Sequence, residues 1–306
     1  MVQLGLVAPA DGAQVAEVER LPIDSLWVGG HLASPNPSPE PVVWLARLAE
    51  QAQRVHVGTA TLVLPWYQPA VAAKQLADID RASKGKLLVG VGAGGEYPAD
   101  FAAAGVPHEQ RWGRLDESIG LLRSFWSGEP VHHRGRYFHY DGLRIHPAPA
   151  QTAGPPIIVT GRKPGAIRRA ARLGDGWMPY LYSAHQYARS VAAIKVEADR
   201  EGRNLETFRW MAYVMVAVAA DTSSAKKAAT NFLGTTYRQD VSQFIDRVTV
   251  TGTTDEVVQG LGEFVRAGAR HLVLLPCSDP RSVRTVPWLA ELVAALRTEF
   301  DARAPT

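Results

Sequence analysis

Eight short apolar runs, separated by longer segments with helical periodicity, constrain this chain more than any other feature. They fall at 3–7, 25–29, 55–61, 86–92, 156–160, 176–179, 212–219 and 271–276. Several lack strict polar alternation, as expected of strands buried on both faces of a parallel sheet. Between them, Val42, Val43, Leu45, Ala46, Leu48, Ala49 and Ala52 form one apolar stripe, and Leu115, Ile119, Leu122 and Trp126 form another. Thr253-Thr254-Asp255-Glu256 has capping-box spacing and opens a helix with Val257, Val258, Leu261, Phe264 and Val265 facing inward, ended by Gly268. Further helices fit 69–82, 164–173, 184–201, 223–233 and 286–300. The alternation predicts an α/β fold, and a closed (β/α)8 TIM barrel suits the strand count better than an open sheet. No linker, repeat or low-complexity stretch divides 1–306, so one barrel domain is expected. The long connection at 132–155 carries Tyr137, Phe138 and Tyr140, then Asp141-Gly142, then Pro147, Pro149 and Pro155-Pro156. It reads as an insertion hairpin and a proline-rich segment between strands 4 and 5, an insertion of functional or interfacial type.

Composition excludes several classes. Thirty-three basic and thirty acidic side chains leave a charge of +3, with lysine and arginine scattered rather than blocked, so no nucleic-acid partner is read. The single cysteine, Cys277, excludes an internal disulfide and a cysteine metal cluster. The longest uncharged apolar run, 210–220, is too short to span a bilayer, and Pro9 and Asp11 interrupt any leading signal. A cytoplasmic protein with no membrane partner is expected.

Three segments carry candidate chemistry. Gly90-Val91-Gly92-Ala93-Gly94-Gly95 satisfies G-x-G-x-x-G directly after a strand. As a dinucleotide fingerprint it is misplaced: it follows the fourth strand, Tyr97-Pro98 interrupts the helix that should follow, and no acidic residue ends a strand about 20 positions on. The other reading is a glycine-rich barrel mouth where a flat ring meets the backbone closely. His31 sits just past the second run, on the face where barrel enzymes place their chemistry, and can exchange a proton near neutral pH; a structural role is the alternative. Gly161-Arg162-Lys163-Pro164-Gly165-Ala166 joins the fifth strand to a helix whose free N–H groups and dipole favour an anion, with a plain turn as the alternative. His108, His132, His133, His139 and His146 lack metal-ligand spacing and read as solvated loop residues, so no metal is expected.

Taken in order, these stretches resemble the bacterial luciferase-like flavin and deazaflavin oxidoreductases. The resemblance rests on Ile23-Asp24-Ser25-Leu26-Trp27-Val28 with His31, on Val57-Gly58-Thr59-Ala60-Thr61 with Pro65 and Pro69, and on the glycine turn. It continues through Arg111 with Glu117, Pro147-Ala148-Pro149-Ala150-Gln151, Asp175-Gly176-Trp177, and the tail from Gly252-Thr253 to Gly268-Ala269. It implies a TIM barrel that binds coenzyme F420, or alternatively FMN, at the strands' C-terminal ends. It also implies a catalytic His31 and a non-prolyl cis peptide at Ala60–Thr61 behind the ring. Gly30, Gly92 and Ala93 would lie at the cofactor, with Gly161, Arg162, Lys163, Gly165 and Ala166 around its phosphate. The implied reaction is hydride transfer between F420 and a small organic substrate. An FMN monooxygenase served by a partner flavin reductase is the alternative, and a non-catalytic flavin-binding protein is a second. A homodimer is expected. Two positions depart from the family pattern. Gly30 stands where an acidic residue commonly precedes the histidine, and Gly95, with Glu96 shifted by one, stands where sugar-phosphate members carry a glutamate.

Overall fold

All eight apolar runs become strands of a closed barrel. The computed structural model describes residues 2–8, 12–34, 36–238, 240–277 and 287–302. The strands, in chain order, are β1 (Gln3–Val7), β2 (Ser25–Val28), β3 (His56–Thr59), β4 (Leu62–Val63), β5 (Leu87–Gly92), β6 (Val131–Arg134), β7 (His139–Leu143), β8 (Ile157–Thr160), β9 (Gly176–Met178), β10 (Arg209–Val218), β11 (Thr249–Gly252) and β12 (His271–Pro276). The parallel order β1-β2-β3-β5-β8-β9-β10-β12 closes on itself, with β12 pairing both β10 and β1. The run at 55–61 is broken: β3 stops at Thr59, the chain bends at Ala60, and β4 resumes the pairing with β5. The Ala60–Thr61 peptide is cis, as the resemblance implies. β11, absent from the sequence reading, pairs with the C-terminal half of β10 outside the closed ring.

The helices are α1 (Gly12–Glu19), α2 (Pro41–Gln51), α3 (Pro69–Ala82), α4 (Pro98–Ala103), α5 (Arg111–Trp126), α6 (Pro164–Leu173), α7 (Ala184–Arg200), α8 (Thr222–Tyr237), α9 (Ile245–Val248), α10 (Thr254–Arg266) and α11 (Pro287–Ala302). The predicted capping box on α10 is present, with Thr253 accepting from the Glu256 amide and Glu256 from that of Thr253. Losing such a cap costs about 1 kcal/mol. The helix expected at 286–300 begins beyond the undescribed residue 286 and runs Pro287–Ala302. No helix among the described residues is long and apolar enough to cross a membrane.

Strand side chains divide between two cores. Trp27, Leu88, Ile158, Met178, Met211 and Val273 cluster inside the barrel, while their neighbours along each strand pack against the helices. Gly58 makes room for this filling, because a Cβ there would lie 2.6 Å from the Trp27 ring. The N-terminal end of the barrel holds a sealed polar group. Trp27 Nε1 donates to Ser25 Oγ at 2.7 Å, and Ser25 Oγ lies 2.7 Å from His271 Nε2. Burial, then the charge of Arg209, pushes the His271 imidazole down to about 3, so this histidine is neutral.

The insertion forms the expected antiparallel hairpin, β6 against β7, followed by the proline-rich stretch. It is pinned to α5 rather than free. The Glu117 carboxylate accepts from the amides of Tyr137 and Phe138 at 3.1 and 3.0 Å and meets His133 Nε2 at 2.8 Å. Burial alone would raise this carboxyl, but these hydrogen bonds outweigh it and hold it below the usual glutamate range. His133 is therefore a tether, whereas His132 pairs with Asp141 on the exposed side of the hairpin, away from its turn.

Candidate active site

The loops after β2, β4, β5, β8 and β9, with the inner face of α8, enclose a cavity of about 470 Å³ at the C-terminal end of the barrel. His31 lies in its wall, three residues past the end of β2. Its backbone N–H donates to Ser38 Oγ at 3.0 Å. Its ring Nδ1 lies 2.9 Å from Oδ2 of Asp100, which is only 2% exposed. The other oxygen, Oδ1, accepts from the amides of Leu32 and Ala33 at 2.9 and 2.6 Å. The edge of Tyr97 packs on the imidazole, with centroids 4.9 Å apart. A carboxylate at Nδ1 keeps the proton on that nitrogen and leaves Nε2 as the one that trades a proton with a ligand.

Asp100 replaces the acid missing from position 30. A Cβ on Gly30 would lie 2.0 Å from the Pro39 carbonyl oxygen, so this loop has no space for a side chain there. The carboxylate comes instead from α4, 69 residues along the chain. Sequence reasoning missed it because its pairing is purely spatial. The one local signal was Tyr97-Pro98, which starts α4 with Tyr97 at the N-cap and proline at its first position.

The glycine turn lines the mouth and does not begin a nucleotide-binding helix. Gly94 and Gly95 have φ of +63° and +117°, and the closed barrel excludes the dinucleotide reading of the motif. A Cβ on Gly92 would lie 2.7 Å from Thr160 Oγ1. The Thr61 and Thr160 hydroxyls lie 3.0 Å apart, within hydrogen-bond reach of the Gly90 and Val91 carbonyls respectively, so backbone and small side chains make up this wall.

The 161–166 loop forms one rim. Gly161 takes φ of +116° while its carbonyl accepts from Trp177 Nε1 at 2.9 Å. The Arg162 guanidinium donates to the Leu181 carbonyl at 3.1 Å and covers the Tyr180 ring at 5.4 Å. Lys163 is the N-cap of α6; Pro164 has no N–H, and the Ala166 amide already donates to the Lys163 carbonyl at 2.8 Å. Helix α6 thus offers an anion fewer free donors than its sequence suggests. Of the residues singled out from sequence, His31, Gly30, Ala60, Thr61, Gly92, Ala93, Gly161, Arg162, Lys163 and Ala166 all line the cavity. Gly165 does not. A Cβ there would meet nothing within 4 Å, so the fold itself does not require glycine.

The rest of the lining was not foreseen. It brings Trp66, Glu96, Tyr180, Tyr213 and Tyr237 to the same space. Burial, then the Glu96 charge, pushes the Tyr180 phenol up to about 12, and burial raises Tyr213 and Tyr237 as well. The last turn of α8 is held from two sides: Asn36 Nδ2 donates to the Thr236 carbonyl at 2.8 Å and Tyr97 Oη reaches it at 3.5 Å.

Comparison with known proteins bears on this geometry. A family model described as luciferase-like monooxygenase matches residues 10–271. An F420-dependent glucose-6-phosphate dehydrogenase of Gordonia bronchialis is 27% identical over 279 residues, covering 83% of this chain and 80% of that protein. Among solved structures, an F420-dependent secondary alcohol dehydrogenase bound to an F420-acetone adduct superposes with a TM-score of 0.84 at 19% identity, over 97% of this chain and 99% of the other. The FMN-bound oxygenating constituent of a Pseudomonas putida diketocamphane monooxygenase gives a TM-score of 0.75 at 18% identity, over 95% and 96% of the two chains.

Proposed function

The chain belongs to the luciferase-like monooxygenase family, and on that premise we propose that it is an F420-dependent oxidoreductase acting on a small alcohol or carbonyl compound. The observation that carries this reading is the His31–Asp100 pair, set in the wall of a barrel-mouth cavity. Relatives named for F420 favour that cofactor over FMN.

The residues at the mouth fit a flat ring with a phosphorylated tail. Gly92 and the threonine pair supply a wall of backbone and small side chains, and Gly161 to Lys163 supply a cationic rim. When bound, the deazaflavin gives or takes a hydride. The chain's own residues handle the proton: Nε2 of His31 takes the hydroxyl proton of an alcohol, or returns one to a carbonyl oxygen. The Asp100 carboxylate stabilises the imidazolium that forms and holds the ring in place. Trp66 and Leu233 keep an apolar wall around the reacting groups.

The direct test is to incubate the protein with F420 or FMN, desalt it, and read the absorbance of what stays bound. Retained F420 together with reduction of F420 by a secondary alcohol supports the proposal. Retained FMN with no affinity for F420 would move the protein to the monooxygenase reading with a partner reductase.

A further inference from the structure

Three cavity tyrosines come from separate elements of the fold. Tyr180 follows β9, Tyr213 lies on β10 and Tyr237 ends α8. All three line the cavity alongside Glu96 of the glycine turn. The Tyr180 hydroxyl lies 3.5 Å from Glu96 Oε1, and the hydroxyls of Tyr213 and Tyr237 make no hydrogen bond with the described residues. Phenols that line a cavity with no protein partner can each donate to a ligand oxygen held there. Burial raises all three, so each is a neutral donor across the physiological range. The surface between them is apolar, from Met215, Phe232 and Leu233. Lys163 stands on the α6 rim, while Arg162 reaches over the Tyr180 ring and donates to the Leu181 carbonyl.

We propose that Tyr180, Tyr213, Tyr237 and Glu96 form the substrate end of the cavity and select uncharged alcohols and ketones with an apolar body over phosphorylated or carboxylated ones. The selection rests on the oxidoreductase reading and narrows it to a substrate class. A ketone oxygen accepts from the phenols; an alcohol accepts from a phenol and donates to the Glu96 carboxylate. A phosphate or carboxylate brings like charge to Glu96, finds the Arg162 guanidinium already engaged by the Leu181 carbonyl and the Tyr180 ring, and loses water it cannot replace.

Calorimetric binding of cyclohexanol, cyclohexanone and glucose 6-phosphate, with and without saturating F420, tests this. The wild-type chain should bind the two neutral compounds at least tenfold more tightly than the sugar phosphate. Tyr213→Phe and Tyr237→Phe, each losing one hydroxyl, should weaken cyclohexanol by roughly 5- to 10-fold. Their F420 affinity and melting temperature should stay unchanged, and in turnover the loss should appear in KM more than kcat. Glu96→Gln should raise sugar-phosphate affinity while leaving F420 binding alone. Glucose 6-phosphate binding as tightly as cyclohexanol overturns the proposal, as do phenylalanine variants that bind cyclohexanol within twofold of wild type. Discrimination that survives in a chain unable to bind F420 supports the substrate site and refutes only the cofactor assignment.

Discussion

The two ends of this barrel each present a histidine, and the contrast between them separates holding a fold from doing chemistry. At the N-terminal end, His271 is sealed against Ser25 and Trp27, 4% exposed, and burial keeps it neutral. At the C-terminal end, His31 has a carboxylate on one nitrogen and a cavity in front of it. Both rings touch an aromatic edge, Trp27 for one and Tyr97 for the other, so ring packing does not distinguish them. The surroundings do: burial and the Arg209 charge keep His271 neutral, whereas His31 has a carboxylate on one nitrogen and the cavity in front of the other.

The largest effect that sharpens this contrast is acid instability. The His271 imidazole sits at about 3 in the fold against 6.5 in the unfolded chain, so the unfolded state binds the extra proton. That penalty is absent above pH 6.5 and grows by about 1.4 kcal/mol per pH unit as the pH falls toward 3. Urea unfolding of the wild type and His271→Leu at several pH values reads this difference; equal slopes would break the assignment. Next is His31→Ala, expected to lower turnover by roughly 100-fold with cofactor affinity and stability little changed. A parallel loss of F420 binding, measured by fluorescence titration, would make His31 a cofactor ligand. Asp100→Asn should cost about tenfold, because the amides of Leu32 and Ala33 keep an acceptor while the imidazolium loses its counter-charge. A flat pH-rate profile shared with wild type would refute that role. Smallest is the α6 rim: replacing Lys163 by Gln should weaken cofactor binding by only about 0.3–1 kcal/mol, read by the same titration.

Periodicity revealed the barrel because each strand's filling is a local property. The runs at 3–7 and 271–276 coincide with β1 and β12, and His31 was found because it directly follows a strand. What escaped was whatever depends on contacts between distant segments. β11 has the half-polar sequence Thr249-Val250-Thr251-Gly252 and is a strand only because β10 runs long enough to pair with it. Helix α8 was expected at 223–233 and continues to Tyr237, so the turn that lines the cavity with Thr236 and Tyr237 went unread. Tyr180, Tyr213 and Glu96 are ordinary residues in three unrelated stretches until the barrel closes. The acid absent from position 30 was read as a departure from the family pattern, yet an acid still meets the imidazole, delivered by α4.

That relocation has a consequence for redesign. The Asp100 side chain is bonded at once to the imidazole and to the backbone at Leu32 and Ala33, so the ring, its loop and α4 form one three-point joint. Misplacing a reacting group by about 1 Å can cost 100-fold, and here the imidazole is aimed by Asp100 and packed by Tyr97, whose hydroxyl reaches the Thr236 carbonyl of α8. Phe232 and Leu233 on α8 can therefore be varied as a library to change which molecules fit, provided the last turn that holds Asn36 and Tyr97 through the Thr236 carbonyl is kept.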